Sequence, residues 1–232
     1  MSQGLRSLQG DARTASERPV PWPGRVRQCI ARRRILQAGE HLFQIGEVGR
    51  EAFVIRSGHL KSYRIHRDGE EQILGMHGPG DMLRCEALID KPANCSAIAL
   101  EIASIEVVDL SHQTQQSGAS SEGMVSLVEG MYRELQRCTR LLYMDRHPAD
   151  RRLAEFILDF SREEQQRGRR PLDLMLPFNR RDLARYLGLA PETLSRTFTR
   201  FQEQCVLSVD NREIRVLDYS ALQSAAGGSQ EA

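Results

Sequence analysis

Read for period alone, the chain changes character twice. From Ile35 to Leu110 short apolar runs are punctuated by Gly39, Gly46, Gly49, Gly58, Gly69, Gly75, Gly78 and Gly80. Between them the pattern predicts strands over Ala52 to Arg56, His59 to His66, Glu71 to His77, Ala97 to Glu101 and Ser104 to Asp109. Asp68-Gly69 predicts a tight hairpin turn, whose geometry needs positive φ. Many short strands at this spacing predict a double-sheet jelly roll. The period then lengthens. Met124, Val128, Met131, Leu135, Cys138 and Leu142 alternate by four and three, the seam of a coiled coil, and Asp145 ends its apolar character. Burial inside one chain is the competing reading. Past Pro148, Leu153, Phe156, Ile157 and Phe160 predict another helix that Gly168 ends.

The most informative stretch is Phe178 to Gln204. Asn179 is a predicted N-cap with Asp182 three residues on, and Leu183, Ala184 and Leu187 give a two-turn helix that Gly188 stops. Pro191 suits the first turn of the next helix. There Leu194, Phe198 and Phe201 form an apolar stripe, while Glu192, Ser195, Arg196 and Thr199 face the other way together. A short helix, a Gly-containing break and a second amphipathic helix predict a helix-turn-helix, with the second helix in the DNA major groove. An ordinary helical hairpin is the bland alternative. The outward face has base-reading chemistry: arginine can donate twice to guanine, a carboxylate accepts from cytosine N4, and Ser or Thr contacts thymine. Arg180, Arg181, Arg185 and Arg200 flank it and suit phosphate contact, which sets register without reading sequence. Beyond it, Leu207 to Val209 and Glu213 to Leu217 predict a β-wing in which Arg212 or Arg215 could touch a phosphate.

Length and composition limit the alternatives. A chain of 232 residues suits two compact units and a connector. With 32 Lys plus Arg against 31 Asp plus Glu, nucleic-acid affinity must come from a local patch. No apolar run is long enough to span a bilayer and Met1 to Pro23 lacks a signal-like core, so no membrane association and a cytoplasmic location are expected. Five scattered cysteines predict neither a disulfide framework nor a zinc site. No nucleophile-base pair, carboxylate pair or phosphate loop points to an enzyme.

The segment DLARYLGLAPETLSRTFTRFQ, with Glu192, Ser195 and Arg196 in an E-x-x-S-R pattern, closely resembles the winged-helix domain of the Crp/Fnr family of bacterial transcription regulators, in its Fnr-like branch. The resemblance implies an α+β fold: an N-terminal double-sheet β-roll of the cyclic-nucleotide-binding type, a long dimerisation helix and a C-terminal winged helix-turn-helix. The expected divisions are a disordered tail over 1–24, the roll over 25–118, the dimerisation helix and hinge over 119–147, the DNA-binding domain over 148–220 and a flexible C-terminus over 221–232. The basic run from Arg25 to Arg34 is expected to be a solvated lead-in to the first strand. A homodimer would read TTGAT-N4-ATCAA-like palindromes in double-stranded DNA, with Arg196 on guanine, Glu192 on cytosine and Ser195 near thymine. A low-oxygen or nitrogen-oxide response is implied. A small-ligand-binding module that reads no DNA is the alternative.

The same resemblance bears on partners and cofactors. GEEQILGMHGPGD resembles the segment that contacts RNA polymerase, which implicates Ile73, Leu74, Gly75 and Asp81. Where family members that bind cyclic AMP carry Gly-Glu and Arg-Ser pairs, this chain has Arg84-Cys85 and Cys95-Ser96, so no cyclic AMP is expected. The cysteines of the oxygen-sensing members are not matched, and no iron-sulfur cluster or other metal is expected. Cluster-less members include haem-dependent ones, which makes His41, His59, His66 and His77 candidate haem ligands. Cys205, just past the recognition helix, is a candidate redox site, with chance placement of a small buried residue as its alternative.

Overall fold

The computed structural model describes residues 30–109, 121–144 and 146–227. The expected tail over 1–24, the start of the basic run, Asp145 and the side chain of Met124 lie outside the described residues. The chain runs through β1 (Ile30–Leu36), β2 (His41–Phe43), β3 (Glu51–Ser57), β4 (Leu60–Ile65), β5 (Glu71–His77) and β6 (Met82–Leu83). A 3-10 turn (Cys85–Ile89), β7 (Ser96–Ala99) and β8 (Ala103–Asp109) complete this part. Two antiparallel four-stranded sheets, ordered β1-β8-β3-β6 and β2-β7-β4-β5, pack face to face. Leu36, Phe43, Phe53, Ile55, Leu60, Ile105 and Val107 fill the space between them, with the Phe43 and Phe53 rings stacked 5.7 Å apart. Gly58 lets β3 turn into β4: its φ is 80°, and a Cβ there would lie 2.5 Å from the carbonyl oxygen of Ile102.

The basic run is not a solvated lead-in throughout. Arg32, Arg33 and Arg34 belong to β1, where Arg32 pairs with Glu51 and Arg33 with Glu106. Acidic neighbours on β3 and β8 make the charges compatible with a strand.

Next come α1 (Ser121–Met144), α2 (Ala149–Gln166), β9 (Asp173–Met175), α3 (Arg180–Tyr186) and α4 (Pro191–Glu203). Then follow β10 (Leu207–Asp210), β11 (Glu213–Val216) and α5 (Tyr219–Ala225). A second core joins Leu153, Ile157, Leu183, Leu194, Phe198 and Phe201 to the wing residues Leu207, Ile214 and Val216. Each such burial stabilises by about 1.5–3 kcal/mol. Met76, Leu100 and Leu141 pack against this core, so the helical part is seated on the β2-β7-β4-β5 sheet.

Two parts of the C-terminal half escape the sequence pattern. β9 adds a third strand beside β11. The flexible end expected from residue 221 is corrected by α5: Asp218 caps it by accepting from Ala221 N, and Leu222 is fully buried in the core shared with α2. The Ala- and Ser-rich composition hides a helix whose single apolar anchor suffices because α2 lies beside it.

Candidate nucleic-acid interface

The turn between α3 and α4 follows from local chemistry. Asn179 Oδ1 accepts from Asp182 N at 2.8 Å, which satisfies a free amide at the start of α3. Gly188 takes a φ of 62° to end it, and Pro191 opens α4. Leu194, Phe198 and Phe201 are buried, whereas Glu192, Ser195, Arg196 and Thr199 are all exposed. Among the described residues, neither Glu192 nor Arg196 has an ion-pair partner. Ser195 Oγ donates to Pro191 O and Thr199 Oγ1 to Ser195 O, so each hydroxyl oxygen keeps accepting capacity. Thr197, which the apolar stripe does not announce, is buried by donating to Thr193 O.

The flanking arginines divide. Arg181 is exposed, and Arg200 reaches back to Asp150. Arg180 is not a free phosphate donor. Its guanidinium carbon lies 3.7 Å from the centroid of the Phe198 ring, and Nη2 donates to Asn211 O at 3.0 Å. Arg185 turns towards the roll and pairs with Glu71 at 3.5 Å. Both were expected on phosphates; the aromatic face and the carboxylate capture them instead. On the wing, Arg212 is exposed and Arg215 pairs with Asp173.

The segment expected to face RNA polymerase is corrected too. Ile73 and Gly75 are buried, Leu74 is half-buried, and Asp81 is held by Arg137 at 2.7 Å. The period-two alternation of β5 turns residues 73, 75 and 77 inward. A Cβ on Gly75 would lie 2.6 Å from His77 Nε2. The exposed part of the hairpin runs from Arg64 through the tip to Glu70, with Gln72 beyond it.

Along α1, Val128, Met131, Leu135, Cys138 and Leu142 are exposed, Leu142 to 75%. This stripe is not buried inside its own chain. Arg137 anchors the helix to the roll: Nη1 donates to His77 Nδ1 at 2.8 Å and to Glu134, and Nη2 to Asp81. Because arginine only donates, His77 Nε2 carries the proton and donates to Ser62 Oγ at 2.8 Å. Burial, reinforced by the Arg137 charge, pushes the His77 pKa down to about 3. Lys61, on the strand beside, pairs with Glu71 at 2.7 Å and with Asp182 of α3 at 2.9 Å.

A cleft of about 1070 Å³ opens between the roll, α1 and α3, lined by Ser62, Cys85, Cys95, Glu86, Glu134 and Arg181 among others. Arg84-Cys85 and Cys95-Ser96, at the positions expected to differ from those of the members that bind cyclic AMP, line or border it. Arg84 sits in a left-handed conformation, and its guanidinium packs near the Phe43 and Phe53 rings while donating to Glu47 O. Ser96 Oγ accepts from Ile45 N. Cys95 stands where the phosphate-binding arginine is expected; burial and the Glu86 charge push its thiol up to about 11, so it presents no charge.

Three of the four candidate haem histidines have Nε2 engaged: His41 with Tyr63, His66 with Gln72 and His77 with Ser62. His59 bonds Glu101 through Nδ1 at 2.6 Å, and its Nε2 is buried without a partner. No group of three or more His, Cys, Asp or Glu among the described residues is placed to hold a metal ion. No described helix is long and apolar enough to cross a membrane. Cys205 is exposed rather than buried and has a φ of 56° at the end of α4.

An exposed polar face on the second helix of a helix-turn-helix, with a three-stranded wing beside it and a β-roll behind, defines a winged-helix DNA-binding regulator. Residues 151–225 match the model of the Crp-like helix-turn-helix domain, and residues 33–117 that of the cyclic nucleotide-binding domain. The chain is 33% identical over 204 residues to the transcriptional activator protein FnrA of Stutzerimonas stutzeri, covering 88% of this chain and 84% of that one. It is 33% identical over 205 residues to the fumarate and nitrate reduction regulatory protein of Vibrio cholerae, covering 88% and 82%. Its fold is similar to that of FixK2 from Bradyrhizobium japonicum, with a TM-score of 0.75 at 24% identity over 85% of this chain and 98% of that one. The chain belongs to the Crp/Fnr family, whose members are DNA-binding transcription regulators and not enzymes.

Proposed function

We propose that two copies of this chain, paired along α1, read a TTGAT-N4-ATCAA-like palindrome with Glu192, Ser195, Arg196 and Thr199, and activate transcription in a low-oxygen or nitrogen-oxide response. The observation that carries the reading is the face of α4: a carboxylate, a guanidinium and two hydroxyls, exposed together and, among the described residues, without ion-pair partners. A charged pair left open beside a well-packed stripe suits base edges, where arginine meets guanine and glutamate meets cytosine. The uncovered apolar stripe of α1 supports the pairing, since a homodimer sets two such helices about 34 Å apart. Arg181 and Arg212 remain available for phosphate. The low-oxygen assignment rests on relatives named as regulators of fumarate and nitrate reduction.

The regulator works without cyclic AMP, because Arg84 is turned onto the Phe43 and Phe53 rings and the neutral thiol of Cys95 stands where the phosphate-binding arginine is expected. Contact with RNA polymerase through the hairpin falls on its exposed stretch from Arg64 to Glu70. The test is a gel-shift titration on the palindrome and on a scrambled duplex, with sedimentation of the free protein alongside. Preference for the palindrome by a dimer is expected. Equal binding to both duplexes sinks the reading.

A further inference from the structure

Arg180 opens α3 and reaches across to α4 and the wing. Its guanidinium lies against the Phe198 ring of α4 and bonds the carbonyl of Asn211, the residue that turns the wing with a φ of 51°. Three elements therefore meet at one side chain: α3, α4 and the β10-β11 turn. Phe198 is itself only 4% exposed, so the ring is a fixed plane and not a mobile surface group. Arg180 Nη1 is buried without a partner among the described residues, which makes it inaccessible to a phosphate. Burial lowers the pKa of the group, consistent with a cation held by a ring and a carbonyl instead of by an acid.

We propose that Arg180 is a positioning residue for DNA reading: it fixes the angle between the reading helix and the wing turn, so that Arg196 meets its base edge in register. The proposal rests on the reading of α4 as the helix that enters the groove. Its physical basis is the planar fork of arginine. One face packs on a ring while an edge donates to a carbonyl, and a lysine ammonium cannot do both. A group that only positions leaves the number of neutralised phosphates unchanged, so the salt dependence of binding does not move.

The experiment compares the full-length protein with Arg180→Lys and Arg180→Met, using Arg181→Ala as the phosphate control. Binding to the palindrome and to a scrambled duplex is followed by fluorescence anisotropy across a salt series. Amide hydrogen exchange of residues 209–213 is measured without DNA, and thermal midpoints verify that each variant is folded. Arg180→Lys and Arg180→Met should both lose about tenfold on the palindrome, the equivalent of one weakened base contact. Scrambled DNA and the salt slope should stay as in wild type, and exchange at the wing turn should rise. Wild-type palindrome binding by Arg180→Lys, or a shallower salt slope in Arg180→Met, overturns the proposal in favour of a phosphate contact. Unchanged exchange at the wing turn overturns it also. If the wild-type protein itself fails to prefer the palindrome, the reading of α4 fails, and the exchange data still decide whether Arg180 holds the wing.

Discussion

Lys61 Nζ of β4 lies 2.9 Å from Asp182 Oδ1 of α3, and both side chains are about nine-tenths buried. This is the charged tie between the roll and the helix-turn-helix, and Glu71 with Arg185 extends it. Removing one partner of a buried pair leaves the other charge uncompensated. Lys61→Met should therefore lower stability by about 3 kcal/mol in urea unfolding. Lys61→Met combined with Asp182→Leu should recover part of that loss; strictly additive losses would show that the two groups are not coupled. Burial alone would lower the Lys61 pKa, but its hydrogen bonds to Glu71 and Asp182 and their charges outweigh burial and raise it above 10.5. The folded state then holds this proton more tightly than the unfolded one. The contribution is whole at neutral pH and disappears as pH climbs beyond the ordinary lysine range.

His77 should make the protein sensitive to mild acid. Its pKa falls from the ordinary 6.5 to about 3 on folding, so the unfolded chain binds the extra proton first. Stability is whole above pH 6.5 and declines as pH falls towards 3, by up to about 1.4 kcal/mol per pH unit. Urea unfolding at pH 7 and pH 5 tests this. His77→Gln, which can still accept from Arg137 and donate to Ser62, should flatten the slope between the two. An unchanged slope would assign the acid sensitivity to other groups.

Arg196→Ala should cost about 1–3 kcal/mol per half-site and relax selectivity at one base pair. Arg181→Ala should weaken specific and scrambled DNA alike and make the salt dependence shallower. A binding titration over all single-base variants of one half-site separates the two. Uniform loss across those variants for Arg196→Ala would remove it from the base-reading set.

Leu135 and Leu142 lie seven residues apart on the uncovered stripe of α1. Replacing Leu135 with Asp should shift sedimentation from dimer to monomer and abolish palindrome binding. Far-ultraviolet circular dichroism should hold, because the position is not in either core. A dimer that survives the substitution places the seam elsewhere.

Leu222→Ala should destabilise the helical part by about 2–5 kcal/mol, since α5 has this one fully buried anchor. Denaturant unfolding provides the measure. A frayed end would register nothing.

Where a single element decides a residue's fate, the sequence was legible. Asn179, Pro191 and the Leu194-Phe198-Phe201 stripe do locally what their spacing predicts, and β5 spans Glu71–His77 as expected from its pattern. The exposure of Glu192, Ser195, Arg196 and Thr199 follows from helical geometry alone. What escaped depends on contacts between distant segments. No local pattern says that Arg180 meets a ring on the next helix, that Arg185 meets Glu71, or that Asp81 meets Arg137. An arginine beside a reading helix looks the same in sequence whether it faces phosphate or the protein. The α5 helix did leave a trace: Asp218 stands three residues before Ala221, a capping spacing obscured by the small residues that follow.

Gly75 needs no unusual backbone, yet it has no room for even a methyl group. An alanine there would evict the neighbouring imidazole, and with it the acceptor that Arg137 uses to moor α1 to the sheet. The smallest possible enlargement of one hairpin residue would thus be felt as slack in α1, the helix along which we propose that two copies pair. Tolerance to mutation at this spot reaches as far as α1, although the atom added would never leave the interior of a single protomer.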